Sequence, residues 1–219
     1  MRRMPGLCGT TIMPSIILRF VSPRVCPNFQ TKQSQENAYF GQAGFYILQD
    51  PEEQAIPGLP QGIGTYDLPL ALTSKRYNPD GSLWSPEANG EVQNLFGDIV
   101  HVNGQVWPFH KVEPRKYRLR FLNAAISRSF QLYFEADKKP GTRISHKVVA
   151  SDAGLLLNPV DTTQLDISMA ERWEVVIDFA AYKGQNVTLR SNAKVADNDP
   201  YLHTDKVMRK SLHPFYLLG

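Results

Sequence analysis

The sequence predicts an all-β protein, an antiparallel sandwich or barrel, and three observations carry that prediction. Apolar and polar residues alternate in several short segments, turn-forming residues separate those segments, and no long stretch has the period of an amphipathic helix. Successive side chains of a strand point to opposite faces, so such alternation marks strands with one face on a core and the other in water.

Taken in order, residues 50–64 (DPEEQAIPGLPQGIG) are rich in Pro, Gly and acid and read as a linker. Tyr77–Glu91 reads as a polar surface loop opening on an Asn78-Pro-Asp-Gly81 turn. Asn103-Gly104, between VHV and QVW, is the best hairpin signal, because both residues accept positive φ. Lys116–Phe121 alternates cleanly, with Tyr117, Leu119 and Phe121 toward the core and Lys116, Arg118 and Arg120 toward solvent. Phe130, Leu132 and Phe134 repeat the pattern, as do Leu165, Ile167 and Met169, then Trp173, Val175, Ile177 and Phe179. Turns are expected at Lys139-Pro-Gly141, Asp152-Ala-Gly154 and Lys183-Gly184. Ser168-Met-Ala-Glu171 has capping-box spacing, but the strand after it favours a single helical turn or plain loop.

The 219 residues are enough for one large or two small domains with a substantial core. A mean hydropathy of −0.32 is ordinary for a water-soluble chain, and no apolar run approaches the roughly 20 residues that cross a bilayer. The net charge of +3 is unevenly placed. Residues 1–35 hold Arg2, Arg3, Arg19, Arg24 and Lys32 and no acid, leaving 19 basic against 21 acidic residues in the remainder. That body has no basic cluster of the kind a nucleic-acid surface needs. Cys8 and Cys26 both lie in the leader; a disulfide between them is open in an oxidising compartment, and the pair alone is no zinc ligand set. Met1-Arg-Arg and the apolar Ile12–Val21 suggest a secretory signal, but Pro14 and Arg19 interrupt it and no small-residue cleavage site follows. Pro5 and Pro14 likewise spoil a mitochondrial presequence.

Three stretches carry a family resemblance: Glu36–Gln49 (ENAYFGQAGFYILQ), Gly97–Ser129 (GDIVHVNGQVWPFHKVEPRKYRLRFLNAAISRS) and Val148–Phe179 (VVASDAGLLLNPVDTTQLDISMAERWEVVIDF). They resemble the middle cupredoxin domain of multicopper oxidases of the bilirubin oxidase and spore-coat laccase group. The resemblance implies a Greek-key cupredoxin-like barrel and divides the chain. Residues 1–35 would be an atypical, disordered leader, 36–50 the last strand of a truncated first domain, and 51–64 a linker. Residues 65–195 would be the second cupredoxin domain, and 196–219 an exit segment with an atypical tail. It also implies a fragment, whose partners are the absent first and third cupredoxin domains, and an extracellular origin like that of the fungal oxidases. Asn186-Val-Thr188 fits an N-glycosylation acceptor, in keeping with that origin.

The resembled enzymes pass electrons from phenols or tetrapyrroles such as bilirubin through copper to dioxygen, which becomes water. Soft thiolate and imidazole ligands suit that copper, and the full set takes about ten histidines and a cysteine. This chain has five histidines, no His-X-His pair and no cysteine outside the leader. No copper and no catalytic or metal-binding residue are therefore expected, and the rival reading is a non-catalytic β-sandwich that binds or scaffolds a partner. His101 and His110 could face each other across the predicted hairpin, but two half-exposed strand histidines without metal is the favoured reading. His146 is expected to face solvent, and His203 and His213 fall in a poorly patterned tail. Asp152, Glu171 and Asp178 read as solvated or turn-binding carboxylates, Asp152 bonding turn amides. Arg115, Arg118, Arg120 and Arg128 form a basic strip expected to pair with Glu113, Glu171 or Glu174. Trp107 and Trp173 read as core or domain-interface aromatics. Hydrolase, phosphate-loop and dinucleotide motifs are absent.

Overall fold

A computed structural model describes residues 17–18, 37–49, 51–85, 97, 99–192 and 206–211. Cys8, Cys26, His203, His213 and all of Pro86–Glu91 lie outside them. The described residues form two sheets around one core, as the alternation requires. The larger holds β3 (Asp67–Lys75), β4 (Ile99–Val102), β5 (Gln105–Val106), β7 (Lys116–Asn123), β9 (His146–Ser151), β10 (Gly154–Thr162) and β12 (Arg172–Asp178). Its order is β10-β9-β12-β7-β3-β4-β5, and every pairing is antiparallel except that of β3 with β7. The smaller, ordered β11-β8-β13-β14-β6, holds β6 (Phe109–Lys111), β8 (Phe130–Ala136), β11 (Leu165–Ile167), β13 (Asn186–Ser191) and β14 (Lys206–Ser211). β6 and β14 run parallel. A separate two-stranded ribbon joins β1 (Ile17–Leu18) to β2 (Phe45–Tyr46). A short helix, α1 (Pro51–Gln54), lies just before β3.

The core is built from the alternating positions read in the sequence. Leu68, Leu70 and Leu72 of β3 meet Tyr117, Leu119 and Phe121 of β7, and Val175 and Ile177 of β12 lie beside them. From the other sheet come Phe130, Leu132, Phe134, Leu165, Ile167, Val187 and Leu189. Phe179 is fully buried and Trp173 packs against the cluster partly exposed. Met169 breaks the pattern, because β11 ends at Ile167 and leaves it exposed.

Asn103-Gly104 makes the expected hairpin between β4 and β5, both residues with positive φ (51° and 82°). The Asn103 side chain also stitches this turn to β3: Nδ2 donates to the Pro69 carbonyl (2.9 Å) and Oδ1 accepts from the Ala71 amide (2.8 Å). At Ser168–Glu171 the chain makes a single turn, with the Glu171 carboxylate accepting from the Ser168 amide. The loop after β3 is less polar than its composition suggests: Trp84 is buried against Tyr39, and the Tyr39 hydroxyl donates to the Arg76 carbonyl.

The larger correction concerns the outer face of β7. Arg118 and Arg120 do not face water; both are buried, because α1 and the residues after it lie over that face of the sheet. A strand covered on both faces keeps the period-two pattern of its core side while hiding what sits on the other.

Candidate functional site

Five charged side chains meet beneath α1. Arg118 and Arg120 project from β7, Glu174 from the paired strand β12, Asp67 from the start of β3 and Glu53 from α1, and all five are buried. Register explains the meeting, since Glu174 stands directly opposite Arg120 and Asp67 opposite Arg118. Arg120 donates Nε and Nη2 to the Asp67 carboxylate (2.7–3.0 Å) and Nη1 to Glu174 Oε1 (2.7 Å). Arg118 donates Nε to Glu174 Oε2 (2.8 Å), to which its Nη2 also donates, and Nη1 to Glu53 Oε1. Glu53 Oε1 also accepts from Arg120 Nη2 (3.1 Å), while its Oε2, buried as well, has no partner.

The electrostatics follow from burial and pairing. Burial works against the Arg120 charge, but the Asp67 hydrogen bonds and the charges of Glu174, Asp67 and Glu53 outweigh it and raise its pKa further. For Glu174, burial pushes the carboxyl upward, and the two guanidiniums only partly oppose it. Charges this deep are held by pairing with one another, since a lone one would cost several kcal/mol.

Of the anticipated partners for the arginines, Glu174 is confirmed. Of these arginines Glu113 approaches Arg115, at 4.0 Å on the surface, and its carboxylate also accepts from the Tyr66 hydroxyl (3.3 Å). Glu171 turns instead to the Ser168 amide and the Trp173 indole. Arg128 stands apart, donating to the Gly97 carbonyl (2.5 Å). Glu53 and Asp67 were missed in the sequence. Glu53 sits in a Pro- and Gly-rich segment with no periodicity, and Asp67 opens a strand where a solvated acid is usual. The readable signal was Arg118 and Arg120 opposite Glu174 on one face of two pairing strands.

The histidines do not assemble. His101 is buried in β4, stacked on Tyr77, with Nε2 3.1 Å from the Tyr77 hydroxyl and Nδ1 3.3 Å from the Gly104 carbonyl. Its partner across the hairpin is Val106, and His110 lies in β6 of the other sheet. The expectation of half-exposed strand histidines is thus corrected for His101, which is buried, and met by His110, and the two do not face each other because the hairpin ends before His110. His146 is also buried rather than solvent-facing. It begins β9 on the same face as Val148, with its ring edge-on to Phe134, Nδ1 3.2 Å from the Ile144 carbonyl and Nε2 unpartnered. Burial lowers the pKa of both His101 and His146. Asp152 accepts not from its own turn but from the Arg172 amide (2.7 Å), twenty residues away. Asp178 caps the turn that follows β12, accepting from the Ala180 amide.

Among the described residues, no group of three or more His, Cys, Asp or Glu could hold a metal ion, and no helix is long and apolar enough to cross a membrane. A copper centre needs converging imidazoles and a thiolate; His101, His110 and His146 are set in different places and bring no cysteine, so the described residues do not fit one. Two surface concavities flank the sheets. One, of about 490 Å³, lies between Ile56–Leu59 and β9, β10 and β12. The other, of about 360 Å³, lies by β3 and the Asn103 turn and reaches Phe109 and His110.

This two-sheet fold has counterparts among known proteins. The family model for multicopper oxidases matches residues 74–205. The chain belongs to the multicopper oxidase family. Its relatives include a bilirubin oxidase of Albifimbria verrucaria, 54% identical over 178 residues that make up 80% of this chain and 31% of that one. A laccase of Bacillus subtilis is 38% identical over 72% of this chain and 31% of its own length. Among solved structures, a multicopper oxidase from Aquifex aeolicus superposes with a TM-score of 0.69 at 26% identity, over 81% of this chain and 38% of that one. The cupredoxin fold is thus shared, and the chain spans about a third of the length of the family members it matches.

Proposed function

We propose that this chain supplies the copper-free middle cupredoxin domain of a multicopper oxidase, spacing copper-bearing domains rather than carrying electrons itself. The parent reaction would be oxidation of a phenol or a bilirubin-type tetrapyrrole, with dioxygen reduced to water. The observation that carries this reading is the fate of the histidines: both ring nitrogens of His101 face protein partners, and His146 is closed into the core. Such side chains serve the fold.

Side chains left uncovered favour docking neighbours over a self-sufficient sandwich. Leu157 is fully exposed and Phe109 is 63% exposed, with Val106, Trp107 and Val160 also on the surface. An extracellular setting agrees with Asn186, which heads β13 with its side-chain amide donating to Asp137 (2.9 Å). A glycan there would replace that exposed hydrogen bond and leave the core untouched.

The test is copper content by mass spectrometry after reconstitution of the purified full chain, with oxygen uptake on a phenol and on bilirubin. Substoichiometric copper and no uptake are expected. Stoichiometric copper with a blue absorption band would overturn the reading.

A further inference from the structure

The concavity between Ile56–Leu59 and strands β9, β10 and β12 has apolar walls and a charged rim. Ile56, Leu59, Val149, Leu155 and Val176 line it, and its volume of about 490 Å³ has room for a large apolar side chain. Lys116, Lys147, Asp161 and Asp178 stand around it, all exposed. Register sets each lysine against an aspartate. Lys147 is opposite Asp161 across β9 and β10, where the two pair at 2.8 Å, and Lys116 is opposite Asp178 across β7 and β12.

Leu157 borders the same concavity and is fully exposed. A bare leucine beside an apolar hollow puts a knob and a hole on one patch. The surface that fits both at once is the same patch on a second molecule, because a two-fold axis carries each knob to the other's hole. Burying Leu157 in this way is favourable and is counted twice in the pair. Strand pairing is not the route. β10 is an edge of the larger sheet, but its register with β9 shifts between Leu155 and Val160. Pro159, inside that stretch, has no amide hydrogen to donate. Side chains must make the contact.

We propose that this face is a homotypic interface: two copies of the chain pair about a two-fold axis, each Leu157 entering the other's groove. The charged rim fixes the register. A two-fold contact sets a patch against its own copy, so a rim of one sign would repel itself, whereas each lysine here meets an aspartate of the second copy. The opposite edge, at Trp107 and Phe109, has no such guide, since the hollow there is lined without Lys, Arg, Asp or Glu. The specific pairing therefore belongs to the β10 side. No copper-bearing neighbour takes part, so a chain that binds copper and one that does not would pair alike.

The experiment is sedimentation velocity of the purified full chain over a range of concentrations, where a monomer–dimer equilibrium is expected. Leu157→Lys should raise the dimer dissociation constant about a hundredfold, because the lost contact is counted twice. Phe109→Lys should leave it unchanged. Charge reversal reads the two-fold axis directly. Lys147→Glu and Asp161→Lys should each be monomeric, because each rim then repels its copy, and an equal mixture of the two should form heterodimers. Recovery on mixing requires both variants to be folded, so it separates a lost interface from a lost fold. A monomeric wild-type chain would overturn the proposal, including one in which another segment of the same chain covers Leu157. So would an association that Leu157→Lys leaves intact, or reversed-charge variants that pair with themselves as readily as with each other.

Discussion

Gly97 shows how much a single missing Cβ can decide. Its φ is +60°, and a Cβ there would come within 2.6 Å of the Lys75 amide nitrogen and 2.7 Å of the Ser74 carbonyl carbon, both backbone atoms that cannot swing aside. Gly81 has a similar φ of +83° but open space around its would-be Cβ. Alanine at Gly81 carries only the left-handed backbone penalty of roughly 1 kcal/mol; alanine at Gly97 must also separate the chain from β3. Gly97→Ala is expected to lower stability by at least about 2 kcal/mol more than Gly81→Ala in urea unfolding, and equal losses would show that β3 yields. His146 gives a second prediction at this scale. Its pKa is depressed by burial, so the unfolded chain takes up a proton below about pH 6.5 that the folded chain refuses. The corresponding stability is present above pH 6.5 and is lost as pH falls. His146→Leu removes that loss together with the unpartnered Nε2, so its stability relative to wild type should rise between pH 7.5 and 5.5. A constant difference across that range would mean that the imidazole titrates freely in the folded state.

At the scale of elements, β7 and β12 bring opposite charges onto one buried face, and the energetics of such a face are unequal for single and paired changes. Arg118→Leu leaves Glu174 and Glu53 short of a partner, and removing one member of a buried pair typically costs about 3–5 kcal/mol. Replacing Arg118 and Glu174 together with leucine removes one charge of each sign and substitutes apolar contact across two neighbouring strands. The double variant is expected to be more stable than the single one; if losses simply add, Arg118 and Glu174 are not the pair the geometry describes. This face also marks where sequence reading stops. Tyr117, Leu119 and Phe121 were legible because alternation reports the core side of a strand. Arg118 and Arg120 were misread because a covering residue 65 positions before Arg118 leaves no mark on β7 itself. Glu53, the residue that makes the cover, sits in a segment whose composition signals only a connection. The hairpin at Asn103 was legible because positive φ restricts residue choice locally, whereas the reach of the Asn103 side chain to β3 depends on tertiary placement.

For the whole molecule the question is what its uncovered surface is for. β10 forms one edge of the larger sheet, and its register with β9 slips between Leu155 and Val160. The bulge blunts the edge against strand pairing, yet it holds Leu157 and Val160 out into solvent. At the opposite edge lies β5, and the chain leaves it through Trp107, which has a φ of +42° and an exposed ring, to Phe109, 63% exposed. Positive φ is costly for a bulky residue, and here it turns an indole outward beside a second exposed aromatic ring. The core needs none of these side chains, so a contact surface is the physical reason to keep them apolar. If neighbouring domains dock there, the isolated chain should associate with itself as its concentration rises, and Leu157→Lys with Phe109→Lys should shift sedimentation toward monomer. Because both positions are outside the core, the melting temperature at low concentration should change little. A wild-type chain that stays monomeric at high concentration would remove the argument for docking and favour a self-sufficient sandwich. A loss of melting temperature on substitution would instead place Leu157 or Phe109 in the service of the fold.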